Sequence, residues 1–381
     1  MPDPVRVALV NHTSRLGGAE WSLLRLAEYL DPDAVRLSVL LGEEGPLADR
    51  LRELELDVEV LELDPALRDR RKETLTSAGL ADTSLAGPFA SAIRDRVRAL
   101  RARRIEVVHT NSLKANFFGG VAGRLAGAKV LWHIRDHISA PYLPPAAVRA
   151  VRLAAKAIPH RVVAVSASAA ATVGRRDVIV VHQGVPHVAA GRPGPQGRLR
   201  VGLVGRVAPW KGQDVFLAAA ERLASSCPDV DFVVAGAPLF GEDEFERSLH
   251  RRAESPALAG RVSFLGFCDD VWDVYRGLDV AVHASTLPEP YGNVILEAMA
   301  SRTPVVAADA GGAREIVRHG RTGLLVKPGD PEALAAALEG LLRDPDERRR
   351  LGDAGRAEAR DRFSLGADAA VFTRLYRSLA R

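Results

Sequence analysis

Cysteine is scarce in this sequence, and its scarcity excludes two classes of protein. Only Cys227 and Cys268 occur in 381 residues, which is too few for a disulfide framework or a cysteine-based zinc cluster. We expect both thiols to behave as small buried side chains.

Long hydrophobic runs are missing as well. No apolar stretch reaches the ~18–20 residues that a membrane span requires. The first residues, MPDPVRVALV, lead into a strand-like run without the pattern of a signal peptide, so we expect a cytoplasmic location. Residues 147–161 space three basic side chains along one helical face. That pattern fits either peripheral contact with an anionic membrane surface or a plain surface helix.

The chain also lacks a large excess of charge of one sign. Its 52 basic and 48 acidic residues leave a formal net charge of +4. This balance argues against a nucleic-acid-binding protein, although a pI near 9.2 leaves weak attraction to anionic partners open. Hydrophobic residues at 47% and charged residues at 26% are typical of a globular protein.

Short apolar runs alternate with helical patterns along the whole chain. The runs lie at residues 5–10, 36–41, 58–61, 106–109, 129–133, 162–166, 178–181, 200–205, 231–236, 262–266, 279–284, 304–309 and 323–326. Continuous β-branched runs of this kind suit strands that are buried on both faces of a parallel sheet. The helical patterns between them fit the crossovers of βαβ units.

A segment rich in glycine and proline, 188–198, interrupts the alternation and is typical of a linker. The sequence therefore predicts an α/β protein with two tandem Rossmann-like doubly wound domains, 1–187 and 199–365, that face a cleft. The last residues, 366–381, have helical spacing, and the predicted helix is free to pack back on the N-terminal domain.

Two glutamates flank a predicted helix start in LPEPYGNVILEAMAS, residues 287–301. A helix start carries unpaired N–H groups and partial positive charge, which suit a phosphate, so Tyr291, Gly292 and Asn293 become candidate ligand contacts. Glu289 precedes the helix and Glu297 lies within it, on the order of 10 Å away along a helix. Carboxylates accept hydrogen bonds from hydroxyls, so this spacing fits a sugar, a diphosphate and a ribose in one ligand. The alternative is a loop charge and a solvated helix residue.

Two cations follow the first strand of the second half, in VGLVGRVAPWKGQD, residues 201–214. Arg206 and Lys211 bracket a short loop there and would neutralise a diphosphate or stabilise it as a leaving group. The loop is not a Walker A motif, because the Gly-x-x-x-x-Gly-Lys-Ser/Thr order is absent. Two surface cations beside a turn are the alternative.

Further candidates come directly after other predicted strands. Gly17 and Gly18 would let a ligand approach the backbone, or would simply form a tight turn. His133 would contact a sugar hydroxyl or be a satisfied core histidine. The backbone near Phe267 could read a base edge. The candidates for acceptor contacts are Asn111, Lys114 and Arg135. No GxGxxG motif is present, which disfavours a dehydrogenase.

Together, EPYGNVILE, GRVAPWKG, the GGARE loop at 311–315 and the tandem layout resemble the retaining glycosyltransferases of family four with the GT-B fold. The resemblance implies that Glu289 contacts the donor sugar and that Glu297 holds the ribose hydroxyls. It implies diphosphate binding by the cations of the GRVAPWKG loop, closure of the N-terminal glycine loop over the phosphates, and a histidine near the sugar. The implied catalytic set is Glu289, His133, Arg206 and Lys211.

The resemblance also implies the reaction and the role of each domain. A hexosyl group would pass from a nucleotide sugar, held by the C-terminal domain, to an acceptor hydroxyl held by the N-terminal domain. The configuration would be retained, with no metal and no cofactor. Arg302 and Gln183 depart from the family pattern, where glycine and asparagine are usual. The alternatives are a nucleotide-sugar epimerase and a catalytically silent sugar-nucleotide-binding protein. UDP is favoured over GDP, and the acceptor and the oligomeric state stay open.

Overall fold

The chain divides into two units, each built around one parallel β-sheet. The structure, a computed structural model, describes residues 3–70, 82–189, 197–239 and 241–381. Unit 1 comprises Met1–Gly184 and Leu365–Arg381, and unit 2 comprises Val185–Ser364. The predicted linker at 188–198 falls mostly on residues 190–196, which lie outside the described residues.

The sheet of unit 1 has seven strands. They are β1 Val5–Val10, β2 Val35–Leu41, β3 Asp57–Val60, β4 Val107–Thr110, β5 Lys129–Ile134, β6 Arg161–Ala164 and β7 Ile179–Val180. Their order in the sheet is β3-β2-β1-β4-β5-β6-β7, and every pair is parallel. In the central register Val7 lies beside both Leu37 and Val107. These apolar side chains are buried, as expected for strands that helices cover on both faces.

Seven α-helices precede unit 2 in the described part of the chain. They are α1 Gly18–Tyr29, α2 Pro46–Glu53, α3 Pro65–Arg68, α4 Ala86–Ala102, α5 Leu113–Ala126, α6 Pro145–Ala157 and α7 Ala167–Thr172, with a short 3₁₀ helix at Thr83–Leu85. Ser112 and Ser166 cap α5 and α7 by accepting hydrogen bonds from the third residue of the following helix segment. These caps fix where the polypeptide turns from a strand end into the next helix.

The sheet of unit 2 has six strands. They are β8 Leu199–Val204, β9 Val230–Ala235, β10 Val262–Gly266, β11 Val280–His283, β12 Val305–Ala308 and β13 Leu324–Val326, in the order β10-β9-β8-β11-β12-β13. The helices are α8 Gln213–Leu223, α9 Asp243–Ala253, α10 Val271–Arg276, α11 Asn293–Ala300, α12 Ala313–Ile316, α13 Pro331–Arg343 and α14 Pro345–Arg362, with a 3₁₀ helix at Pro209–Lys211. All strand pairs are parallel here too.

The last helix, α15 Leu365–Ala380, follows unit 2 in sequence but packs in unit 1. Its buried side chains recur at helical spacing and include Phe372, Tyr376 and Leu379. They join the apolar cluster formed by α1, β1 and β4. Among the described residues, no helix has the length and apolar character that crossing a bilayer would require.

Both sheets confirm the predicted fold class of tandem Rossmann-like α/β domains. In each sheet the strand order reverses once, between β1 and β4 in unit 1 and between β8 and β11 in unit 2. Ligands of doubly wound sheets bind beyond the carboxyl ends of the strands at such a reversal. The loops that follow these four strands are therefore where the structure should bring functional side chains together.

Candidate functional site

The carboxylate of Glu289 lies at the centre of the best-defined polar cluster in unit 2. Its Oε1 accepts hydrogen bonds from Lys211 Nζ at 2.8 Å, from His283 Nε2 at 3.0 Å and from the Ser285 hydroxyl. Glu289 is only 7% exposed. The loops after β8 and β11, which are neighbouring strands, thus meet at one ion pair at the strand reversal.

This arrangement fixes the charge of Glu289. Burial raises the pKa of the Glu289 carboxyl, but Lys211 and His283 together outweigh burial and hold that pKa well below its usual range. The Glu289 side chain is therefore ionised at neutral pH, and its three hydrogen bonds hold it in one orientation. Such a group accepts hydrogen bonds from a ligand hydroxyl.

The loop after β8 places Lys211 through close backbone packing. Its 3₁₀ helix ends at Gly212, whose φ of 74° favours glycine, and a Cβ there would lie 2.0 Å from the carbonyl oxygen of Ala284. The Thr286 N–H donates to the carbonyl of Trp210 at 2.9 Å. Lys211 Nζ also lies 4.6 Å from the Trp210 ring centroid. These contacts tie the two loops together.

Arg206 lies in the same loop but pairs with a different carboxylate. Its Nη1 is 3.4 Å from Glu242 Oε1, and its guanidinium lies 5.6 Å from the Trp210 ring centroid. The Gln213 side-chain amide donates to the Arg206 carbonyl at 2.8 Å. Each of the two predicted diphosphate cations therefore has its own acidic partner.

The GGARE loop after β12 supports the backbone that carries Glu289. The Gly312 N–H donates to the Glu289 carbonyl at 2.9 Å. A Cβ on Gly311 would lie 2.1 Å from that same oxygen, and one on Gly312 would lie 2.3 Å from the Tyr291 carbonyl oxygen. No side chain fits at either glycine, so the loop and the Glu289 segment are in direct backbone contact.

Helix α11 begins at Asn293, one residue after Gly292, whose φ is 123°. Glu297 lies in this helix and is buried, with its Oε2 3.5 Å from the hydroxyl of Tyr275 on α10. Phe267 follows β10 at the edge of the sheet, two strand positions from β8, and is 53% exposed. The structure thus places Glu289, Tyr291 and Gly292 in one segment, which the GGARE loop contacts. Phe267 instead follows the strand at the edge of the sheet.

In unit 1, Gly17 precedes α1 and Gly18 is its first residue. The carboxyl group of Glu20 lies against this turn, because a Cβ on Gly17 would be 3.0 Å from Glu20 Oε2. Asn11 Nδ2 donates to Glu20 Oε1 at 3.0 Å. Burial raises the pKa of Glu20 against the opposing effects of Asn11, nearby backbone N–H groups and Arg135. A buried carboxyl group therefore already lies at this helix start.

The remaining candidates of unit 1 fall into two places. Arg135 Nε donates to Asn111 Oδ1 at 2.8 Å, and Arg135 Nη2 is 3.4 Å from Nδ1 of the buried His133. These three side chains form one cluster after β4 and β5. Lys114, on α5, instead donates to the carbonyl of Arg68.

Sequence reasoning missed several residues of both clusters. His283 and Ser285 contact Glu289 directly, Asn11 and Glu20 contact each other beside the start of α1, and His109 contacts His133 of the unit 1 cluster. The only signal available for His283 and Ser285 is their place in VHAST, at a strand end. That position is the same one that made the other candidates stand out.

Two family models match most of the chain between them. The model for glycosyl transferases group 1 matches residues 192–358, and the model for a glycosyl transferase 4-like domain matches residues 17–183. Among solved structures, HepE of Anabaena in complex with UDP and glucose is 27% identical, with a TM-score of 0.84 over 98% of this chain and 100% of that one. The chain belongs to the family-four glycosyltransferases with the GT-B fold. The predicted family is thereby confirmed.

Curated relatives match the chain over shorter stretches. The putative glycosyltransferase EpsD of Bacillus subtilis is 38% identical over 149 residues, which are 39% of this chain and 38% of that protein. The lipopolysaccharide core biosynthesis mannosyltransferase LpcC of Rhizobium leguminosarum is 36% identical over 186 residues, 49% of this chain and 53% of that protein. The chain thus matches about half or less of the length of these relatives.

Proposed function

We propose that this family member transfers a hexosyl group from a nucleotide sugar to an acceptor hydroxyl, with retention of configuration and without a metal ion. One observation carries the proposal. The pair of Lys211 and Glu289 joins the loops after two adjacent strands at the strand reversal of unit 2, where doubly wound sheets bind ligands. A lysine and an ionised carboxylate in contact suit a ligand that has both phosphates and hydroxyls.

The donor in this proposal is a UDP-hexose bound by unit 2. Anabaena HepE has been solved with UDP, with UDP and glucose, and with UDP-glucose, and its likeness to this chain supports that choice. The diphosphate would lie against Lys211, Arg206 and the start of α11, where the partial positive charge of a helix N-terminus favours an anion. Glu297 would accept hydrogen bonds from the ribose hydroxyls, and Glu289 from the sugar.

Catalysis would come from charge that is in place before the reaction. As the glycosidic bond to the diphosphate breaks, negative charge grows on the leaving group, and Lys211 and Arg206 stabilise it without rearranging. The ionised Glu289 keeps the Lys211 ammonium in position. The departing phosphate would accept the proton of the acceptor hydroxyl, which attacks on the same face. No protein nucleophile is part of this scheme.

Unit 1 would bind the acceptor, with Asn111, Lys114 and Arg135 as the candidate contacts. The acceptor would be a hydroxyl of a glycan, a lipid-linked sugar or a small molecule. LpcC acts in lipopolysaccharide core biosynthesis, which supports a glycan or lipid-linked acceptor. Peripheral contact with an anionic membrane through α6, which carries Arg149 and Lys156 on exposed positions, is part of the proposal.

The test measures thermal stability of the full chain with UDP-, GDP- and ADP-sugars. A ligand that binds only the native state stabilises it by about 2.7 kcal/mol at a hundred times its dissociation constant. We expect UDP-sugars to raise the melting temperature of the wild type and to lose this effect in Glu297→Ala. Glu339→Ala is the control, since Glu339 lies in the same unit and pairs only with the exposed Arg343 in the described structure.

Product analysis then separates the alternatives. A transferase releases UDP only as the sugar appears on an added acceptor, whereas an epimerase needs no acceptor and a silent binder gives no product. Absence of any thermal shift with millimolar sugar nucleotides would contradict the proposal outright.

A further inference from the structure

A chain of three buried hydrogen-bonding side chains crosses unit 1. The Tyr376 hydroxyl, on α15, lies 2.7 Å from His109 Nδ1, and His109 Nε2 lies 3.1 Å from His133 Nδ1. His109 and His133 are in neighbouring strands, β4 and β5. All three side chains are buried, and Phe372 packs against both imidazole rings at centroid distances of 5.1 and 5.3 Å.

The position of Arg135 indicates the direction of these hydrogen bonds. Its Nη2 is 3.4 Å from His133 Nδ1, and a guanidinium can only donate. His133 Nδ1 must therefore be an acceptor, so His109 Nε2–H donates to it. A neutral His109 protonated on Nε2 has its lone pair on Nδ1, which then accepts the Tyr376 O–H. The opposite direction would point two N–H groups at each other.

Both imidazoles are neutral in this environment. Burial and then the charge of Arg135 lower the pKa of His109 to about 3, and the same causes lower the pKa of His133 well below its usual value. Burial also raises the pKa of the Tyr376 hydroxyl, which keeps its proton. The hydrogen bonds therefore run in one fixed direction, with Tyr376 donating to His109 and His109 donating to His133.

This series of hydrogen bonds ends at an N–H donor of His133 that has no acceptor among the described residues. With Nδ1 of His133 accepting, the proton of the neutral ring is on Nε2. That atom is buried and has no hydrogen-bond partner among the residues that the structure describes. A buried N–H without a partner costs on the order of 1–3 kcal/mol, which a ligand oxygen would recover.

We propose that Tyr376 and His109, together with the contact of Arg135, are positioning residues that hold His133 as the neutral tautomer protonated on Nε2, so that His133 donates a hydrogen bond to a ligand oxygen. The tautomer stands on the contacts within unit 1 alone. The ligand oxygen rests on the function proposed above. The C-terminal helix thereby determines the chemistry of a residue 243 positions earlier in the chain (376 minus 133).

As a consequence, His133 favours a ligand atom that accepts a hydrogen bond. A neutral N–H donor accepts a hydroxyl, carbonyl or phosphate oxygen as its partner and disfavours a second donor such as an ammonium group. Because neither ring gains a proton near neutrality, the donor would not change with pH over the range in which an ordinary histidine titrates.

The first experiment reads the tautomer directly in the ligand-free full-length protein. Nitrogen NMR of ¹⁵N-histidine-labelled protein distinguishes Nε2–H from Nδ1–H rings, and His133→Gln identifies the His133 signals. We expect His133 to be wholly Nε2–H in the wild type and a mixture of tautomers in Tyr376→Phe, which keeps the ring and removes the O–H. In that variant His109 loses the donor that fixes its own tautomer, and the long 3.4 Å contact of Arg135 is too weak to fix the His133 tautomer alone. An Nδ1–H ring in the wild type, or an unchanged tautomer in Tyr376→Phe, would overturn the proposal.

Two substitutions of His109 test the proposal independently of whether Tyr376→Phe folds. An amide, like a neutral imidazole, carries one acceptor atom beside one donor atom, whereas leucine carries neither. We expect His109→Gln to keep the Nε2–H tautomer of His133 and His109→Leu to lose it. If both variants keep the tautomer, His109 does not set it and the proposal fails even if Tyr376→Phe cannot be folded.

Kinetics then connect the tautomer to the ligand. We expect kcat/KM for the nucleotide sugar to fall about tenfold in Tyr376→Phe and in His109→Leu, and to recover in His109→Gln. If the tautomer follows this pattern but kcat/KM does not, His133 donates to no oxygen of a substrate. If no sugar nucleotide is turned over by any variant while the tautomer pattern holds, the proposed function fails and the tautomer assignment stands.

Discussion

The two strand reversals of this protein occupy equivalent places in two sheets of the same kind, but the pKa of a buried glutamate shifts in opposite directions at the two places. After β8 and β11, Glu289 contacts Lys211 at 2.8 Å and is ionised. After β1 and β4, the buried Glu20 contacts neutral Asn11, and burial raises its pKa. Both carboxyl groups are buried to the same extent, at 7% exposure. At equal burial, therefore, a cation in direct contact decides the direction in which the pKa of the carboxyl group shifts.

The same contrast extends to the surrounding groups. Unit 1 holds two neutral histidines and, in Asp368, a carboxyl group whose pKa burial raises to about 7. Unit 2 presents the paired cations of the GRVAPWKG loop, each with an acidic partner. Unit 1 surrounds the buried cation Arg135 with groups whose pKa shifts favour their neutral forms, and unit 2 keeps its charged groups in pairs. That division fits a donor with a diphosphate in unit 2 and hydroxyl recognition in unit 1.

The largest effect is expected from breaking the unit 2 pair with Lys211→Met. The change leaves Glu289 buried without its cation, so we expect the free energy of unfolding to fall by about 3 kcal/mol. Loss of a preorganised cation should lower kcat by about 100-fold or more. Urea denaturation and steady-state kinetics measure the two effects, with the exposed Lys327→Met as the control in the same unit.

Adding Glu289→Gln to Lys211→Met sharpens this test. The double variant buries no unpaired charge, so part of the lost stability should return while activity stays low. If stability does not return, the ion pair is not what the single variant disrupts.

A second test concerns the backbone contact beneath Glu289. Gly312→Ala would place a Cβ 2.3 Å from the Tyr291 carbonyl oxygen, and the Glu289 segment would have to move. We expect a stability loss of about 2 kcal/mol and a donor affinity at least tenfold weaker. Gly340→Ala is the matched control, because nothing lies within 4 Å of its added Cβ and the position is inside α13. It should gain up to about 1 kcal/mol.

A third test substitutes the two buried glutamates in parallel. Glu289→Gln leaves the Lys211 ammonium without its anion, and we expect it to cost about 2 kcal/mol of unfolding free energy. Glu20→Gln replaces a carboxyl group that gains little from ionisation, so its cost should stay under about 1 kcal/mol. If urea denaturation shows the same loss of unfolding free energy for both variants, the two glutamates do not differ in the way described above.

The smallest effect is a pH dependence in unit 1. The folded-state pKa of Asp368, about 7, lies above its ordinary value of 3.8, so the folded state binds a proton more tightly than the unfolded state. This group therefore destabilises the fold increasingly as the pH rises from about 4 to about 7. Because Asp368 is only partly buried, we expect on the order of 1 kcal/mol.

The comparison of Asp368→Asn with the wild type isolates this contribution. Asparagine cannot ionise, so the melting temperature of the variant should gain on that of the wild type between pH 5 and pH 8. Asp33→Asn, at an exposed position, should keep a constant difference across the range. If the melting temperature of the wild type instead gains on that of Asp368→Asn as the pH rises, Asp368 is ionised in the folded protein and is stabilised by its neighbours.

Particular residues show how far sequence reasoning reached. The apolar runs place the strands of both sheets within a few residues, because continuous β-branched segments have few other stable uses. The predicted start of α11 near Gly292 lies one residue from the observed one, since glycine and proline end the preceding segment. The sequence predicts that Arg206 and Lys211 neutralise a diphosphate, but it gives no sign that each is paired with an acid that lies 36 or 78 residues away.

By itself the sequence determined the two parallel-sheet units, the loops that carry candidate residues, and the family, because strand patterns and motif spacing are local. Only the tertiary structure decided which of those residues are charged. Glu289 meets Lys211 across 78 residues, and His109 meets Tyr376 across 267. A pKa depends on burial and on the nearest charges, and folding sets both through contacts that no local pattern in the sequence contains.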